Sequence, residues 1–289
     1  MATGQQVPIF VVSLARAADR RAAMAQRLGD LGLEFEMTDA VDGKAMSQAE
    51  FEAGKAPGLS VSPGDMGCYL SHMNIYRMIR DRGHSMALVL EDDAALNPSI
   101  VPLLRQGLAS SAFDICFADS WFVGIDGRIY YDPDDAIALG GEHFAYRLAP
   151  PPHGTHAYFI TGAAARQRLD APWPMTESID WYRTMPAGTR YYGMIDPRGA
   201  WLNETFSTVS FVSPFGRRNA QPWHMQWRRW AAWYDFWNLV HPSMFKARRE
   251  VAGLVASGRL APGRDWRPLP PSVAGGGPVR APRGRRPAP

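Results

Sequence analysis

The sequence predicts an α/β fold in which a mixed, mostly parallel sheet is flanked by helices and followed by a helical C-terminal extension. Residues 9–14 form a short apolar run, residues 19–31 carry apolar side chains at helical spacing, and residues 34–37 form a second strand-like run. This β-α-β order favours a parallel sheet covered by helices. Of the 289 residues, 46% are apolar and 20% are charged, which indicates a chain able to bury a core.

Local signals place the elements that follow. Ser62 before Pro63 is typical of a helix start, and the apolar pattern continues to about Arg82, where Gly83 ends the helix. Residues 86–90 form a compact apolar run, which predicts a buried strand. The other predicted elements are a helix after 97–98, a strand at 113–117, a small hairpin within 124–142, a strand at 157–161 and a helix at 162–169.

Three segments of the chain differ in composition. Residues 1–215 carry most of the strand and helix patterns and are predicted to form the main domain. Residues 216–261 are rich in Trp and Arg and are predicted to form the helical extension. Residues 262–289 contain eight prolines and five glycines, a composition that predicts a disordered tail.

A stripe of tryptophans marks the predicted extension. Its members recur at steps of four and three, as on one face of a helix: Trp223, Trp227, Trp230, Trp233 and Trp237. Arginines lie close to them in the sequence, and Trp combined with Arg is typical of helices that lie in a membrane interface. Two interpretations stay open: peripheral contact with an anionic membrane, or packing of the stripe as ordinary core.

Charge argues against a nucleic-acid partner. The formal net charge is +3, but six arginines and a single aspartate fall after residue 261, so the rest of the chain is slightly acidic. The basic side chains are nearly all Arg, which together with abundant Ala, Gly and Pro indicates a GC-rich bacterial genome.

Cysteine usage and hydropathy indicate the compartment. Cys68 and Cys116 are far apart, which argues against a disulfide framework and against a Cys-based zinc site. The N-terminus lacks the pattern of a signal peptide, and no apolar run approaches the ~20 residues that span a bilayer. We expect a cytoplasmic protein, with peripheral contact at the inner face of the membrane left open.

Three adjacent carboxylates follow the strand predicted at 86–90: Glu91, Asp92 and Asp93. Ligands of open α/β sheets bind at the carboxyl ends of strands, where three carboxylates repel one another unless a cation binds. Mg²⁺ and Mn²⁺ prefer oxygen ligands and accept substrate phosphates in their coordination shell. The cluster therefore indicates a metal platform for a diphosphate, or else a solvated acidic turn.

Several motifs occur in an order that resembles a known family. In chain order they are a strand and basic turn at 11–21, an Ala-x-Asp-Gly loop at 40–43, Gly-Asp-Met-Gly-Cys-Tyr-Leu-Ser-His at 64–72, the acidic strand end at 88–93, Gly-Thr-His-Ala-Tyr-Phe-Ile at 154–160 and an Ile-Asp pair at 179–180. Over about residues 9–211 the chain resembles glycosyltransferase family 25, which groups bacterial lipooligosaccharide galactosyltransferases with collagen galactosyltransferase domains. Asp65 replaces a Glu of the family signature, and Ser13 stands where Asn is usual.

The resemblance implies a GT-A-like (Rossmann-like) fold, a UDP-sugar donor, Mn²⁺ or Mg²⁺, and inversion at the anomeric carbon. The expected activity is transfer of a hexose, with galactose the first candidate, to a surface glycan such as lipopolysaccharide core or to a lipid-linked glycan. Two other functions stay open: a different nucleotide-dependent transferase, and an inactive protein that uses the fold as a glycan-binding or scaffold module.

The resemblance also assigns residues to the donor. Asp93 is the expected direct metal ligand, and Glu91 or Asp92 contacts the metal, the ribose or a bound water. The other expected donor-site residues are Ser13, Leu14, Arg20, Arg21, Asp42 and His72. Each of the charged ones has an alternative: the arginines can form a solvated helix end, Asp42 a simple Asp-Gly turn, and His72 a packed helical residue.

An inverting transfer needs a carboxylate on the acceptor side as general base. Asp180 is the first candidate, because it matches a late acidic position of the family. Asp119, after a predicted strand, is the second, and Glu177 is the third. Any of them can instead cap a helix. His153 and His156 flank a Gly-Thr pair and can complete a metal shell, although nothing in their spacing requires it.

Overall fold

The computed structural model describes residues 6–109, 111–119, 130–149, 153–182, 184–195 and 197–202, together with residues 249, 252–253, 255–256 and 267–268. The strands among them are β1 Ile9–Ser13, β2 Glu36–Asp39, β3 Met86–Glu91, β4 Ala94–Leu96, β5 Ile115–Phe117, β6 Tyr130–Gly140, β7 His143–Ala149, β8 Ala157–Thr161, β9 Tyr191–Met194, β10 Ala200–Leu202 and β11 Arg267–Pro268. The helices are α1 Ala18–Asp30, α2 Gln48–Gly54, α3 Pro63–Asp81, α4 Val101–Gln106 and α5 Gly162–Leu169. Short 3₁₀ turns lie at Gly43–Ala45, Pro98–Ile100 and Ile179–Trp181.

A nine-stranded sheet forms the centre, in the order β11-β6-β7-β9-β5-β8-β3-β1-β2. Strand β1 pairs in parallel with both β2 and β3, and β5 pairs in parallel with β9. Strand β8 runs antiparallel between β3 and β5. Following the pairings across the sheet, six of its nine strands run in one direction, and β7, β8 and β11 oppose them. The predicted fold class, an α/β domain with a mostly parallel sheet, is confirmed.

The core lies on both faces of this sheet. Alternate residues of a strand point to opposite faces, so Val89 of β3 packs with Ile75 and Ile79 of α3. Its neighbour Leu88 belongs to the opposite apolar layer, which includes Met24 and Leu28 of α1. Every residue of β3 from Met86 to Leu90 is buried, which explains why this strand reads as a continuous apolar run.

Helix α3 begins and ends where the sequence predicts. The Ser62 hydroxyl accepts a hydrogen bond from the Asp65 backbone N–H, and the Asp65 carboxylate accepts from the Ser62 backbone N–H, which forms a capping box. Pro63 occupies the first turn. Gly83 follows the helix with φ of +68°, a left-handed conformation that favours glycine.

Other elements differ from their predicted bounds. Strand β2 lies two residues later than expected, because its parallel register pairs Phe10 with Glu36 and Ser13 with Asp39. The hairpin predicted within residues 124–142 is observed as β6 and β7 and extends to Ala149. Helix α2, strand β9 and the β4–β10 pair were not predicted, because each is short and lacks a long apolar period.

The C-terminal predictions fall mostly outside the described residues, and this includes the whole Trp stripe. Residues 249, 252–253 and 255–256 are helical. Within the segment predicted to be a disordered tail, Arg267 and Pro268 pair with Tyr131 and Tyr130 of β6, and the remainder of that prediction stays a prediction. In the part of the chain that the structure describes, no helix is long and apolar enough to cross a membrane.

Close backbone packing of α3 leads to a stability prediction. A Cβ on Gly67 would lie 2.5 Å from the carbonyl oxygen of Val41 and 2.7 Å from the backbone nitrogen of Gly43. The variant Gly67→Ala should therefore lose about 1–3 kcal/mol of unfolding free energy through overpacking. The control Gly29→Ala, where a Cβ meets nothing within 4 Å, should gain about 0.5–1 kcal/mol. Urea unfolding measures both, and a Gly67→Ala protein as stable as wild type would contradict the packing argument.

Candidate active site

Several predicted site residues lie at one edge of the sheet, where β1 and β3 end. The parallel strands β1 and β3 end there in Ser13 and Glu91, since Val12 pairs with Glu91. Strand β5 ends there too, shortly before Asp119. The antiparallel strand β8 begins at this edge, because Leu90 pairs with Ala157. Loops that leave three strands and a loop that enters a fourth therefore share one site.

Asp92 lies in the turn between β3 and β4 and is held from β1 and α1. It is 6% exposed. The Ser13 hydroxyl donates a hydrogen bond of 2.6 Å to its Oδ2, and the Arg20 guanidinium contacts its Oδ1. Arg27 donates to the backbone oxygens of Asp92 and Ala94 at 3.0 and 3.2 Å. Since all these contacts are made within the protein, Asp92 acts in this structure as the anchor of the turn.

Asp93 points a free oxygen into the site. Its side chain is buried, and its Oδ2 lies 3.5 Å from the Arg20 guanidinium. Its Oδ1 is buried and has no hydrogen-bond partner among the described residues. Burial and then the charge of Glu91 raise the pKa of Asp93 to about 6. A cation at Oδ1 would supply the missing partner, so the residue fits its predicted role as a metal ligand.

Glu91 faces β8 and α3. The Thr155 hydroxyl donates a hydrogen bond of 2.5 Å to its Oε1, and Nε2 of His72 lies 3.7 Å from the same oxygen. Burial alone works to raise the pKa of Glu91, but the His72 ring and the Thr155 hydroxyl outweigh it and lower that pKa. Glu91 therefore remains ionised beside Asp93, which keeps the local charge negative.

His72 is fully buried on α3, with 0% of its surface exposed. Its Nδ1 lies 2.8 Å from the Tyr158 hydroxyl, which in turn lies 2.8 Å from the Tyr76 hydroxyl. Its Nε2 is buried and has no hydrogen-bond partner among the described residues. His72 therefore lies beside Glu91 and contacts Tyr158 through its other ring nitrogen. Its role in lining the donor site stays a prediction.

Asp180 lies in the 3₁₀ turn Ile179–Trp181, close enough to Glu91 for that charge to affect its pKa. Its backbone oxygen accepts a hydrogen bond of 3.3 Å from Gly154, which fixes the 3₁₀ turn against the loop before β8. Its Oδ1 is buried and has no hydrogen-bond partner among the described residues. Burial is the main cause that raises the pKa of Asp180, and the charge of Glu91 adds to it. A desolvated carboxylate with a free oxygen has the properties of a general base.

Asp119, the second candidate base, is already paired. It is 3% exposed, and its Oδ2 lies 3.3 Å from Nε2 of His156. The Arg198 guanidinium lies 3.7 Å from its Oδ1. His156 therefore pairs with Asp119. The ring of His153 packs against Trp181, the residue after Asp180, with 6.2 Å between the ring centroids. Neither histidine belongs to the group of possible metal ligands found among the described residues.

Glu177, the third candidate, is structural. It is 4% exposed, and its Oε1 accepts hydrogen bonds from Arg168 at 3.0 Å and from the Thr184 hydroxyl at 2.6 Å. Arg168 is itself 1% exposed and also donates to the backbone oxygen of Ile179. Because both charges are buried and paired with each other, Glu177 is poorly placed to accept a proton from a substrate, and its role as the third candidate base stays a prediction.

Two predicted donor residues make contacts at the rim. Arg21 donates to Asp39 at 2.6 Å and to the backbone oxygen of Ser13 at 3.2 Å. Asp42 accepts from Arg16 at 2.6 Å and from the Lys44 backbone N–H at 3.1 Å. The Arg16 hydrogen bond is the main cause that lowers the pKa of Asp42. The Asp-Gly turn is thus present, and a role for Asp42 in binding ribose or uracil stays a prediction.

Leu14 takes part through its backbone. Its carbonyl oxygen accepts a hydrogen bond of 2.9 Å from the Ala17 N–H, which forms the turn that leads into α1. That turn brings Arg20 back towards the end of β1. The predicted contact of Leu14 with a nucleotide stays a prediction.

Sequence reasoning missed the roles of Thr155, Tyr158 and Arg198. Thr155 and Tyr158 stand in the Gly-Thr-His-Ala-Tyr motif, and the direction of β8 would have placed them at the site had it been known. Arg198 follows β9 in a segment without a periodic pattern, so no signal pointed to it.

The fold and the site define an α/β domain with a buried acidic turn at the end of a central strand. The sequence model of "Glycosyltransferase family 25 (LPS biosynthesis protein)" matches residues 6–121. This match and the related proteins below place that region in glycosyltransferase family 25, and the resemblance predicted from the sequence is confirmed there. The matched region carries Ser13, Arg20, His72 and the acidic turn.

The related proteins are animal members of the same family. "Inactive glycosyltransferase 25 family member 3" of Mus musculus is 28% identical over 172 residues, which cover 56% of this chain and 28% of the relative. "Procollagen galactosyltransferase 1" of Danio rerio is 38% identical over 95 residues, which cover 29% of this chain and 16% of the relative. The chain thus matches less than a third of the length of these relatives, and a bacterial origin stays a prediction.

A solved structure described as "crystal structure of a glycosyltransferase involved in the glycosylation of the major capsid of PBCV-1" is 12% identical, with a TM-score of 0.32. The alignment covers 65% of this chain and 82% of that one. The fold assignment rests on the strand order given above and not on this likeness.

The buried Arg168–Glu177 pair leads to a prediction that separates structure from chemistry. The variant Glu177→Gln leaves the Arg168 charge buried without its counter-ion and should lose about 3–5 kcal/mol of unfolding free energy. The matched control is Glu36→Gln, since Glu36 pairs with Arg82 at the surface and should lose less than about 1 kcal/mol. If the two variants lose the same unfolding free energy in urea, burial of the Arg168–Glu177 pair does not increase its contribution to stability.

Proposed function

We propose that this protein is a metal-dependent, inverting glycosyltransferase that moves a hexose from a UDP-sugar to a glycan acceptor. The observation that carries the proposal is the free, buried Oδ1 of Asp93, at a strand end inside the region that matches glycosyltransferase family 25. A divalent cation fits this position because carboxylate oxygens are its preferred ligands.

The acidic turn supports the donor half of the reaction. Asp93 would hold the cation, with Glu91 as a second carboxylate, and the cation would stabilise the negative charge of the departing diphosphate. Asp92 does not face the ligand in this assignment. It fixes the turn through Ser13 and Arg20, so that Asp93 keeps its position without rearrangement.

Asp180 supports the acceptor half. Its free oxygen and raised pKa suit a carboxylate that accepts the proton of an acceptor hydroxyl. Asp119 is less suited, because His156 and Arg198 already surround its oxygens. We therefore assign Asp180 as the general base and Asp119 as a residue that orients the loop before β8.

The donor sugar and the acceptor are proposed from the relatives. The name of the Danio rerio protein specifies a galactosyltransferase that acts on procollagen, and the family description refers to LPS biosynthesis. UDP-galactose is accordingly the first donor to test, and a lipopolysaccharide-core or lipid-linked glycan is the first acceptor. A cytoplasmic location, with peripheral contact to an anionic membrane through the Trp stripe, belongs to the same proposal.

A second function is favoured by one observation: a relative that matches 56% of this chain is named inactive. In this alternative the protein binds a nucleotide or glycan and does not turn it over. Slow hydrolysis of UDP-galactose in the presence of Mn²⁺ separates the two functions, because a binding protein releases no galactose.

The variant Asp93→Asn should lose Mn²⁺-dependent UDP binding by at least about tenfold, because a neutral amide replaces a metal-ligating carboxylate. Isothermal titration calorimetry with UDP, with and without Mn²⁺, measures the loss. Asp81→Asn is the control, since Asp81 is an exposed carboxylate that pairs with Arg80 away from the site. If Asp93→Asn binds UDP in the presence of Mn²⁺ with wild-type affinity, the assignment of Asp93 as the metal ligand is wrong.

The variant Asp180→Asn should keep UDP binding and lower kcat by about 10²–10⁴-fold, because an amide cannot accept the proton. In wild type the acid limb of kcat/KM should lie above the ordinary aspartate pKa of 3.8, since the pKa of Asp180 is raised and the base is inactive when protonated. If Asp119→Asn abolishes turnover while Asp180→Asn transfers sugar at the wild-type rate, the base is Asp119.

A further inference from the structure

We propose that Cys68, His72 and Glu91 form a second cation site, selective for a borderline-soft divalent ion of the Zn²⁺ class. It differs from the proposed Mn²⁺ or Mg²⁺ position in its ligands Cys68 and His72, and Glu91 is common to both positions. One ligand atom from each of the three residues lies within 4.8 Å of the other two. The site lies between α3 and the end of β3. The proposal does not depend on the transferase activity.

The geometry suits a single ion. Cys68 and His72 are four residues apart on α3, so their side chains lie on the same helical face. Nε2 of His72 lies 3.7 Å from Oε1 of Glu91. Two ligands of a tetrahedral Zn²⁺ site, each about 2.1 Å from the ion, are separated by about 3.4 Å. A small closing movement of the His72 and Glu91 side chains therefore brings both atoms into bonding distance.

An independent observation points to a ligand at this position. His72 is 0% exposed, and its Nε2 has no hydrogen-bond partner among the described residues. A buried polar atom without a partner is unfavourable in a folded protein. That nitrogen lies 3.7 Å from Oε1 of Glu91, which is another member of the group.

The surroundings orient the ligands as metal sites usually do. Metal-ligating histidines commonly use their second ring nitrogen in a hydrogen bond that fixes the ring. Nδ1 of His72 lies 2.8 Å from the Tyr158 hydroxyl, which Tyr76 holds in turn. The Thr155 hydroxyl fixes Glu91 by a hydrogen bond of 2.5 Å. Tyr158 and Thr155 are therefore positioning residues for the two ligands.

The donor set decides the class of ion. Mg²⁺ and Mn²⁺ select oxygen ligands, whereas a thiolate, an imidazole and a carboxylate together favour Zn²⁺. Burial raises the pKa of the Cys68 thiol, so the thiol would release its proton to solvent when the metal–sulfur bond forms. Three protein ligands leave a fourth position for water or substrate, as in catalytic zinc sites. This proposal departs from the expectation, drawn from the spacing of the two cysteines, that a Cys-based zinc site is absent. The structure combines a single Cys with His72 of the same helix α3 and with Glu91 at the end of β3.

Cobalt provides the test, because a thiolate bonded to Co²⁺ gives a sulfur-to-metal charge-transfer band in the near ultraviolet. The full-length protein is stripped with a chelator and titrated with Co²⁺. Wild type should develop the band up to one equivalent, and Cys116→Ser should do the same, since Cys116 is the other free cysteine and does not belong to the group. Cys68→Ser should lose the band and bind Co²⁺ at least about tenfold more weakly.

A second variant tests the positioning of His72. Tyr158→Phe removes the hydroxyl partner of Nδ1 but leaves all three ligands in place, so it should keep the charge-transfer band and weaken Co²⁺ binding by about 10–100-fold. For a measurement that needs no variant, X-ray absorption at the zinc edge of the Zn²⁺-loaded wild type should show one sulfur neighbour among nitrogen and oxygen neighbours.

Three results would overturn the proposal: a folded wild type without the band at one equivalent of Co²⁺, an equal band in Cys68→Ser, or a zinc spectrum without sulfur. These results are distinguishable from failure of the proposed function. UDP binding with Mn²⁺ responds to Asp93→Asn and not to Cys68→Ser, so either cation site can fail while the other is retained.

Discussion

Negative charge concentrated at the end of a buried strand is the constraint on which the rest of the site depends. Glu91 ends a strand whose apolar residues are all buried, and Asp92 and Asp93 follow it. Both aspartates are buried, whereas the Glu91 side chain is 27% exposed. The protein offsets part of this charge from within: Arg20 contacts Asp92, and Thr155 donates a hydrogen bond to Glu91. The Oδ1 of Asp93 is left free. The three neighbouring residues therefore have different environments: Asp93 keeps an oxygen without a partner, Asp92 anchors the turn, and Glu91 lies beside His72 of α3.

The other acidic side chains near this edge also differ in whether they have a basic partner. Glu177 and Asp119 are acidic and close to the site in sequence or space, yet both are engaged by basic partners. Asp180 retains a free oxygen in a setting that raises its pKa. Pairing, more than the mere presence of a carboxylate, therefore separates structural acids from candidate catalytic ones in this protein.

Much of the fold could be predicted from the sequence, because strong local signals mark its central elements. The apolar run of β3, the capping box at Ser62 and Gly83 fix their elements locally, and their predicted bounds agree with the structure. Strand β9 and the β4–β10 pair were missed, because short segments take their structure from the neighbours they pair with. The acidic turn could also be predicted, because its three carboxylates are adjacent in the sequence, as are the apolar residues of β3.

The contacts within the site could be predicted only in part. The role of Asp92 as an anchor depends on Ser13 and Arg20, which lie more than seventy residues away in the chain. The engagement of Glu177 depends on Arg168, and that pairing is set by the turn that follows α5. No single-sequence pattern records which oxygen of a carboxylate is free, because that is a property of tertiary packing.

The reversed direction of β8 has a consequence for how such a site can diversify. If every strand ran the same way, only loops that leave strands would border the ligand, and each would continue into a covering helix. Because β8 enters the sheet at this edge, the segment just before it brings Thr155 to Glu91 and His156 to Asp119. A substitution in this approach segment would therefore alter the surroundings of two acidic side chains without touching the strands that end beside them.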